Sequence, residues 1–190
     1  LYRELGSRNS LPWLLPAVVE NAGGELTAMS DLQQEVTNLI YRESTLLDRR
    51  EWDDWIDLYT EDAIYWVPSW ANEEETTDDP ELQLNLIYLR NRGGLEDRVF
   101  RIESRDSYAS VPLDRTVHVV GNVLVENENG DEVEATANCI IHTYGKKGGL
   151  TRGSLYDFSM RRVDGELRIT RKKITFIDDR LEGPIDVYHL

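Results

Sequence analysis

From Arg115 onward the chain is a run of long strand-like stretches broken only by Asn129-Gly130, Gly148-Gly149 and Asp164-Gly165. Each pair accepts the positive φ that primed hairpin turns require. The spacing therefore predicts an antiparallel meander. The upstream half reads differently. Ser30 followed by Gln33 is a capping-box signature, after which Leu32, Val36, Leu39, Ile40 and Leu47 recur at helical spacing. Trp52, Trp55, Ile56 and Tyr59 fall at i, i+3, i+4 and i+7, the single face of a second, short helix. Ala63 to Val67 reads as a strand ending at Pro68. Leu82, Leu84 and Leu86 alternate ahead of Ile87-Tyr88-Leu89, which predicts a strand that becomes buried on both faces. Gly93-Gly94 punctuates it, and a short helix follows from Leu95 to about Glu103. Helices first and a long meander after imply α+β, with N-terminal helices covering one face of a strongly curved antiparallel sheet.

At 190 residues and 40% apolar content, the chain has enough material for one domain with a sizeable core. That domain is expected over residues 29–190. Residues 1–28 carry prolines, glycines and little periodicity, and are expected to be an N-terminal extension, either a flexible arm or a non-native segment preceding a start at Met29. The apolar run from Leu11 to Val19 is interrupted by two prolines and lacks signal-peptide flanks, so a cytoplasmic location is expected. A single cysteine, Cys139, excludes an internal disulfide and any iron–sulfur cluster needing two Cys and two His ligands from this chain. The balance of 36 acids against 21 bases, net −15, disfavours nucleic acid and anionic membrane as partners.

Candidate chemistry is sparse. The histidines are His118, His142 and His189. A two-residue turn at Asn129-Gly130 would set His118 opposite Ile141 and Val117 opposite His142, so the two imidazoles leave opposite faces and cannot share a metal. A bulge would reverse that parity. Asp157 could be a pocket base. With Asp164-Gly165 as the turn it instead falls opposite Lys172, Ser159 opposite Thr170 and Met160 opposite Ile169, an ordinary cross-strand ion pair. Tyr41, Trp55, Tyr59, Tyr65 and His118 are candidates to line a cavity beneath the helices, or simply to fill the core. Cys139 continues the series Ala135, Ala137, Cys139 and Ile141, the pattern of an inert buried thiol. Arg161, Arg162, Arg168, Arg171, Lys172 and Lys173 gather on the last two strands, a strip suited to protein contact or to solvent.

Four ordered blocks then carry a resemblance. They are YRESTLLDRREWDDWIDLYTEDAIYWVP, LIYLRNRGGLEDRVFRI, LDRTVHVVGNVLVE and the terminal RITRKKITFIDDRLEGPIDVYHL. Together they cover roughly Met29 to Leu190, and the sequence resembles the small, or beta, subunits of Rieske-type aromatic-ring-hydroxylating dioxygenases, nearest the benzoate, toluate and anthranilate class. Residues 1–28 have no counterpart in that pattern. The resemblance implies a cone-like fold similar to nuclear transport factor and scytalone dehydratase. It implies a hexamer of three large and three small subunits, with the Rieske iron–sulfur cluster, the mononuclear non-haem iron and the substrate in the large one. It also implies conversion of an aromatic acid to a cis-dihydrodiol with dioxygen, using NADH electrons passed on by a separate reductase. No catalytic, cofactor or metal residue is then expected in this chain, whose part is chiefly structural. Arg98 and Arg101, three apart on one helix face, are expected to anchor a salt-bridge network, with Trp70, Tyr88, Tyr188 and His189 as further subunit-interface candidates. Two other readings remain: a stand-alone cone-fold isomerase or dehydratase, which needs an open pocket holding a perturbed acid, and a binding module, which needs an apolar cavity without one.

Overall fold

The computed structural model describes residues 23–104, 111–181 and 183–190, with side chains from residue 31 onward. Among the described residues, three helices and six strands follow in the order α1 (Gly23–Arg49), α2 (Trp52–Ile56), β1 (Tyr59–Pro68), β2 (Asn85–Leu89), α3 (Arg92–Glu103), β3 (Arg115–Asn129), β4 (Glu132–Gly145), β5 (Gly148–Val163) and β6 (Glu166–Phe176). A 3-10 turn at Val187–His189 closes the chain. One sheet holds all six strands in the order β2-β1-β6-β5-β4-β3. The meander is antiparallel as expected, but β1 pairs with β6 in parallel, so the sheet is mixed.

Strand alternation and helix periodicity meet on one side of this sheet. Val133, Ala135, Ala137, Cys139 and Ile141 of β4 turn inward at successive odd positions, all at most 2% exposed. Val36, Ile40 and Leu47 of α1, with Trp52, Trp55 and Ile56 of α2, close over them. Each large apolar side chain so buried contributes about 1.5–3 kcal/mol. α1 also stitches itself to β3 through Gln33, whose amide donates to Val123 O (3.0 Å) and accepts from Val125 N (3.0 Å). These backbone groups lie where the β3 ladder is irregular, so the glutamine satisfies what the bulge leaves unpaired.

Several local expectations change. α1 already runs from Gly23, placing Ser30 inside the helix rather than at its start; Glu25, Leu26, Ala28 and Met29 are all good helix formers. The extension expected upstream falls, over residues 1–22, outside the described residues. Tyr59 is buried as its spacing predicts, yet it opens β1 instead of ending α2. β2 begins only at Asn85 because Gln83 and Asn85 close a turn around Asp79 and Pro80, with Asp78 N and Asp79 N donating to Gln83 Oε1 and Asn85 Nδ2 to Pro80 O. Leu82 and Leu84 are consequently 86% and 76% exposed, not buried.

Register carries the more telling differences. The β4–β5 turn is Lys146-Lys147, since Gly145 faces Gly148 and Tyr144 faces Gly149. The β3–β4 turn is Gly130-Asp131, one residue later than expected, with Asn129 facing Glu132. Two irregularities, between Gly121 and Leu124 and between Val125 and Asn127, then return the ladder to the expected pairing, so that His118 does face Ile141 and Val117 does face His142. On β6 a single irregularity has the opposite result. Met160 faces Ile169 as predicted, but Thr170 is passed over, Ser159 faces Arg171, and Asp157 faces Lys173 instead of Lys172.

Candidate functional site

The skipped residue turns Lys172 into the cone. Its side chain is fully buried, and so is that of Glu43 from α1 opposite it. Lys172 Nζ lies 2.9 and 3.0 Å from the two Glu43 carboxylate oxygens. Glu43 Oε1 also accepts from Trp55 Nε1 (2.9 Å) and Tyr59 OH (2.8 Å). The ammonium is capped by rings, 4.4 Å from the centroid of Tyr156, 5.7 Å from Phe158 and 5.8 Å from Tyr65. Such contacts stabilise a desolvated cation. Burial on its own would raise the Glu43 carboxyl, but the Lys172 charge and the hydrogen bonds from Lys172, Trp55 and Tyr59 outweigh it and hold the acid below its ordinary value. Burial, reinforced by Glu43, pushes the Tyr59 and Tyr65 hydroxyls far up, and burial beside Cys139 does the same to Tyr156.

Sequence reasoning missed this centre, although both halves left a trace. Glu43 falls on the stripe Val36, Ile40, Glu43, Leu47, a carboxylate on the apolar face of a helix. Along β6 the buried positions change from odd, Leu167 and Ile169, to even, Ile174 and Phe176. That change of parity marks the bulge, and it puts Lys172 on the inner side.

The proposed cavity aromatics separate into three environments. Trp55, Tyr59 and Tyr65 pack on one another at centroid distances of 5.3–6.4 Å and are fully buried. Tyr41 points outward and is 46% exposed. His118 belongs to a different cluster. Its Nδ1 is 2.7 Å from Asp48 Oδ1 and its Nε2 3.1 Å from Leu190 O, while Asp48 also accepts from Thr116 Oγ1 and from His118 N. Burial raises the Asp48 carboxyl, but the side-chain and backbone hydrogen bonds from His118 prevail and lower it. This knot ties the last turn of α1 to β3 and to the chain end. His142, on the opposite face, meets Thr151 Oγ1 at 2.8 Å. Cys139 is buried, which raises its thiol and suits an inert packing role. Asp157 is exposed on the outer face beside Lys173.

The interface candidates lie on several elements. Trp70 donates from Nε1 to Phe176 O (3.0 Å), and Tyr88 donates to Glu81. Arg98 reaches the chain end, pairing with Asp186 at 3.1 Å, while Arg101 on the same helix is exposed. Tyr188 and His189 are buried within their own chain, Tyr188 against Trp52. His189 Nδ1 accepts from Asp186 N, and its Nε2 is 3.5 Å from Asp114; burial lowers the imidazole despite that carboxylate. A groove of about 500 Å³ opens beside this end, lined by Val111, Pro112, Lys147, Leu150, Pro184 and His189 among others. The basic strip is largely paired within the chain. Arg161 pairs with Asp62, Arg162 with Glu35 and Arg168 with Glu166, and Lys172 has left it for the interior.

Among the described residues no three His, Cys, Asp or Glu side chains converge as metal ligands. One buried cysteine cannot supply the two thiolates of a Rieske cluster, and the histidines of the described residues sit in separate environments that do not fit a mononuclear iron. No helix among the described residues is long and apolar enough to cross a membrane.

Helices packed over one mixed six-stranded sheet are an arrangement that a class of oxygenase component also has. Residues 42–182 match the family model of the ring hydroxylating beta subunit, and the chain belongs to that family. It is 35% identical over 172 residues to the 2-halobenzoate 1,2-dioxygenase small subunit of Burkholderia cepacia, covering 87% of this chain and 100% of that one. It is 34% identical to the toluate 1,2-dioxygenase beta subunit of Pseudomonas putida, over 83% of this chain and 97% of the relative. Among solved structures, the benzoate 1,2-dioxygenase beta subunit of Burkholderia mallei superposes with a TM-score of 0.68 at 35% identity, covering 82% and 95% of the two chains. A scytalone dehydratase-like structure from Novosphingobium aromaticivorans shares the fold at a TM-score of 0.62 and 12% identity, over 84% and 95%. The chain is thus a beta subunit of an aromatic-ring dioxygenase, an oxidoreductase, of the benzoate-type class.

Proposed function

We propose that this chain is the structural small subunit of a terminal oxygenase that converts an aromatic acid of the benzoate and anthranilate kind to a cis-dihydrodiol. In this reading three copies assemble with three large subunits in the cytoplasm. The large subunits hold the Rieske cluster, the mononuclear iron and the ring acid, and a reductase delivers NADH electrons to the complex. One observation carries the structural role. The carboxylate buried in the interior, Glu43, is bonded by Lys172, Trp55 and Tyr59. An acid held below its ordinary value and bonded on both oxygens is poorly suited to proton transfer, which asks for a group poised near neutral pH. This speaks against a stand-alone isomerase or dehydratase.

Contacts with neighbouring subunits are assigned to Trp70, Tyr88, Arg98 and Arg101, with Tyr188 and His189 supporting that surface from beneath. Co-expression with the large iron-containing chain tests the reading. The two should co-purify, and dioxygen uptake with an aromatic acid should require both. A chain that ignores the large subunit and turns over a small molecule alone would overturn it.

A further inference from the structure

The groove beside His189, about 500 Å³, has the size of a small-molecule site. Its walls come from three segments: the one entering β3, the β4–β5 turn, and the one leaving β6. The two lysines of that turn reach different walls. Lys146 Nζ donates to Val111 O at 2.7 Å, ahead of β3, and the Lys147 ammonium comes within 3.6 Å of where a Cβ would stand at Gly183, past β6. Arg152 of β5 is buried at the base of the groove, its guanidinium 5.9 Å from the centroid of Phe176. Val111, Pro112, Leu150 and Pro184 supply apolar surface beside these bases. Neither Glu43 nor Lys172 lines it, so the groove is separate from the ion pair inside the cone.

Charge in the groove runs against that of the chain. The net charge is −15, yet Lys146, Lys147 and Arg152 line the groove against one acid, Asp114, among the described residues. That acid is held to one side. Its carboxylate packs against Gly145, where a side chain would not fit, and faces His189 Nε2 at 3.5 Å. His189 Nδ1 accepts from Asp186 N, which leaves the Nε2 proton of the neutral ring for Asp114. Burial foremost, and the Arg152 charge with it, keep that ring from protonating despite Asp114. An anion repelled by the chain as a whole is therefore drawn to this place. A guanidinium offers a carboxylate two parallel N–H donors, and a lysine adds a further one. Apolar walls beside such donors favour an anion that carries an apolar body over a bare inorganic one.

We propose that this groove binds a small carboxylate with an apolar body, the carboxylate on Arg152 and Lys147 and the body against Leu150, Pro112 and Pro184. The site gives this chain a ligand of its own, apart from any in the large subunit, and does not depend on the small-subunit reading above. Because the ligand would touch the segment entering β3, the β4–β5 turn and the segment leaving β6 together, its binding also stabilises the fold by mass action.

Calorimetric titration of benzoate, a simple ion with both parts, into the full chain without the large subunit tests this, with circular dichroism as the control for folding. Benzoate should bind one to one. Benzamide keeps the body without the charge and acetate the charge without the body, and each should bind about tenfold more weakly or worse. Lys147→Glu, on the exposed turn, should weaken benzoate about tenfold, and Asp114→Asn should tighten it about threefold by removing a like charge. Lys173→Glu, on the outer face of the sheet, changes the net charge equally and should leave binding as it was. Arg152→Met should abolish binding; if that variant does not fold, Lys147→Glu still decides. The amide resonances that benzoate moves should be those of residues 143–150 and 183–189. Absence of saturable binding, benzamide binding as well as benzoate, a folded Lys147→Glu that binds like the wild type, a Lys173→Glu weakened as much as Lys147→Glu, or amide changes confined to other residues would each overturn the proposal. Capture of the large chain is measured in parallel. Capture without benzoate binding overturns the groove site alone, and benzoate binding in the groove without capture overturns the small-subunit reading alone.

Discussion

Lys172 and Lys173 are consecutive residues with opposite fates. The first is sealed in the cone, bonded to Glu43 and surrounded by rings, while the second lies over Trp66 on the outer face with no carboxylate bound to it among the described residues. The same side chain on the same strand thus serves as a core component on one side of the sheet and as surface charge on the other. Strand parity decides which, and on β6 one bulge at Thr170 sets the parity. The contrast shows that a charged residue's energetic weight follows its neighbours' ability to replace water, not its identity.

Substituting the two lysines separately tests this most forcefully. Lys172→Met leaves the Glu43 carboxylate buried without its cation and should destabilise the fold by about 3–5 kcal/mol in urea unfolding. Adding Glu43→Leu should recover a large part of that loss, because the unpaired charge is then gone. Equal effects at Lys172 and Lys173 would break the comparison.

Acid provides a second, intermediate test. Glu43 and Asp48 sit below their ordinary values of 4.5 and 3.8 in the folded chain, so the unfolded chain binds more protons. Their contribution is therefore fully present above about pH 4.5 and is lost as pH falls through the folded values. In Lys172→Met the sign reverses at Glu43. Without the cation, burial raises the carboxyl above its unfolded value, and this group's contribution should then grow as pH falls toward that unfolded value. Urea midpoints followed across this range check both directions; parallel curves for wild type and variant would disprove the assignment.

The smallest effect is expected outside. Lys173→Met changes a residue with no ion pair among the described residues and should move stability of the isolated chain by no more than about 0.5 kcal/mol. A loss of several kcal/mol in the same urea series would show that the outer cations weigh as heavily in the fold as the inner one.

Much of the architecture was legible. Turn dipeptides and alternating strands announced the meander, and the Val36, Ile40 and Leu47 stripe announced α1. The placing of His118 opposite Ile141 was reached through a turn set one residue too early, and two irregularities compensated. At Lys172 a single irregularity had no counterpart, and the residue changed sides. Leu82 and Leu84 misled for a related reason, since alternation reads as burial only where a strand exists, and here side-chain amides hold a turn instead. Of the proposed cavity aromatics, Trp55, Tyr59 and Tyr65 met, while Tyr41 and His118 went elsewhere, because residues from distant elements converge only through packing.

By itself, then, the sequence determined the order and kind of most elements, the α+β class and the family blocks, because periodicity, turn chemistry and residue order are local properties of the chain. Tertiary structure alone decided that β1 runs parallel to β6, that Glu43 and Lys172 meet, and that Arg171 and Lys173 face outward over Trp66. Those outcomes depend on which strands become neighbours and on one skipped residue in a ladder, and both are set by the packing of segments far apart in sequence.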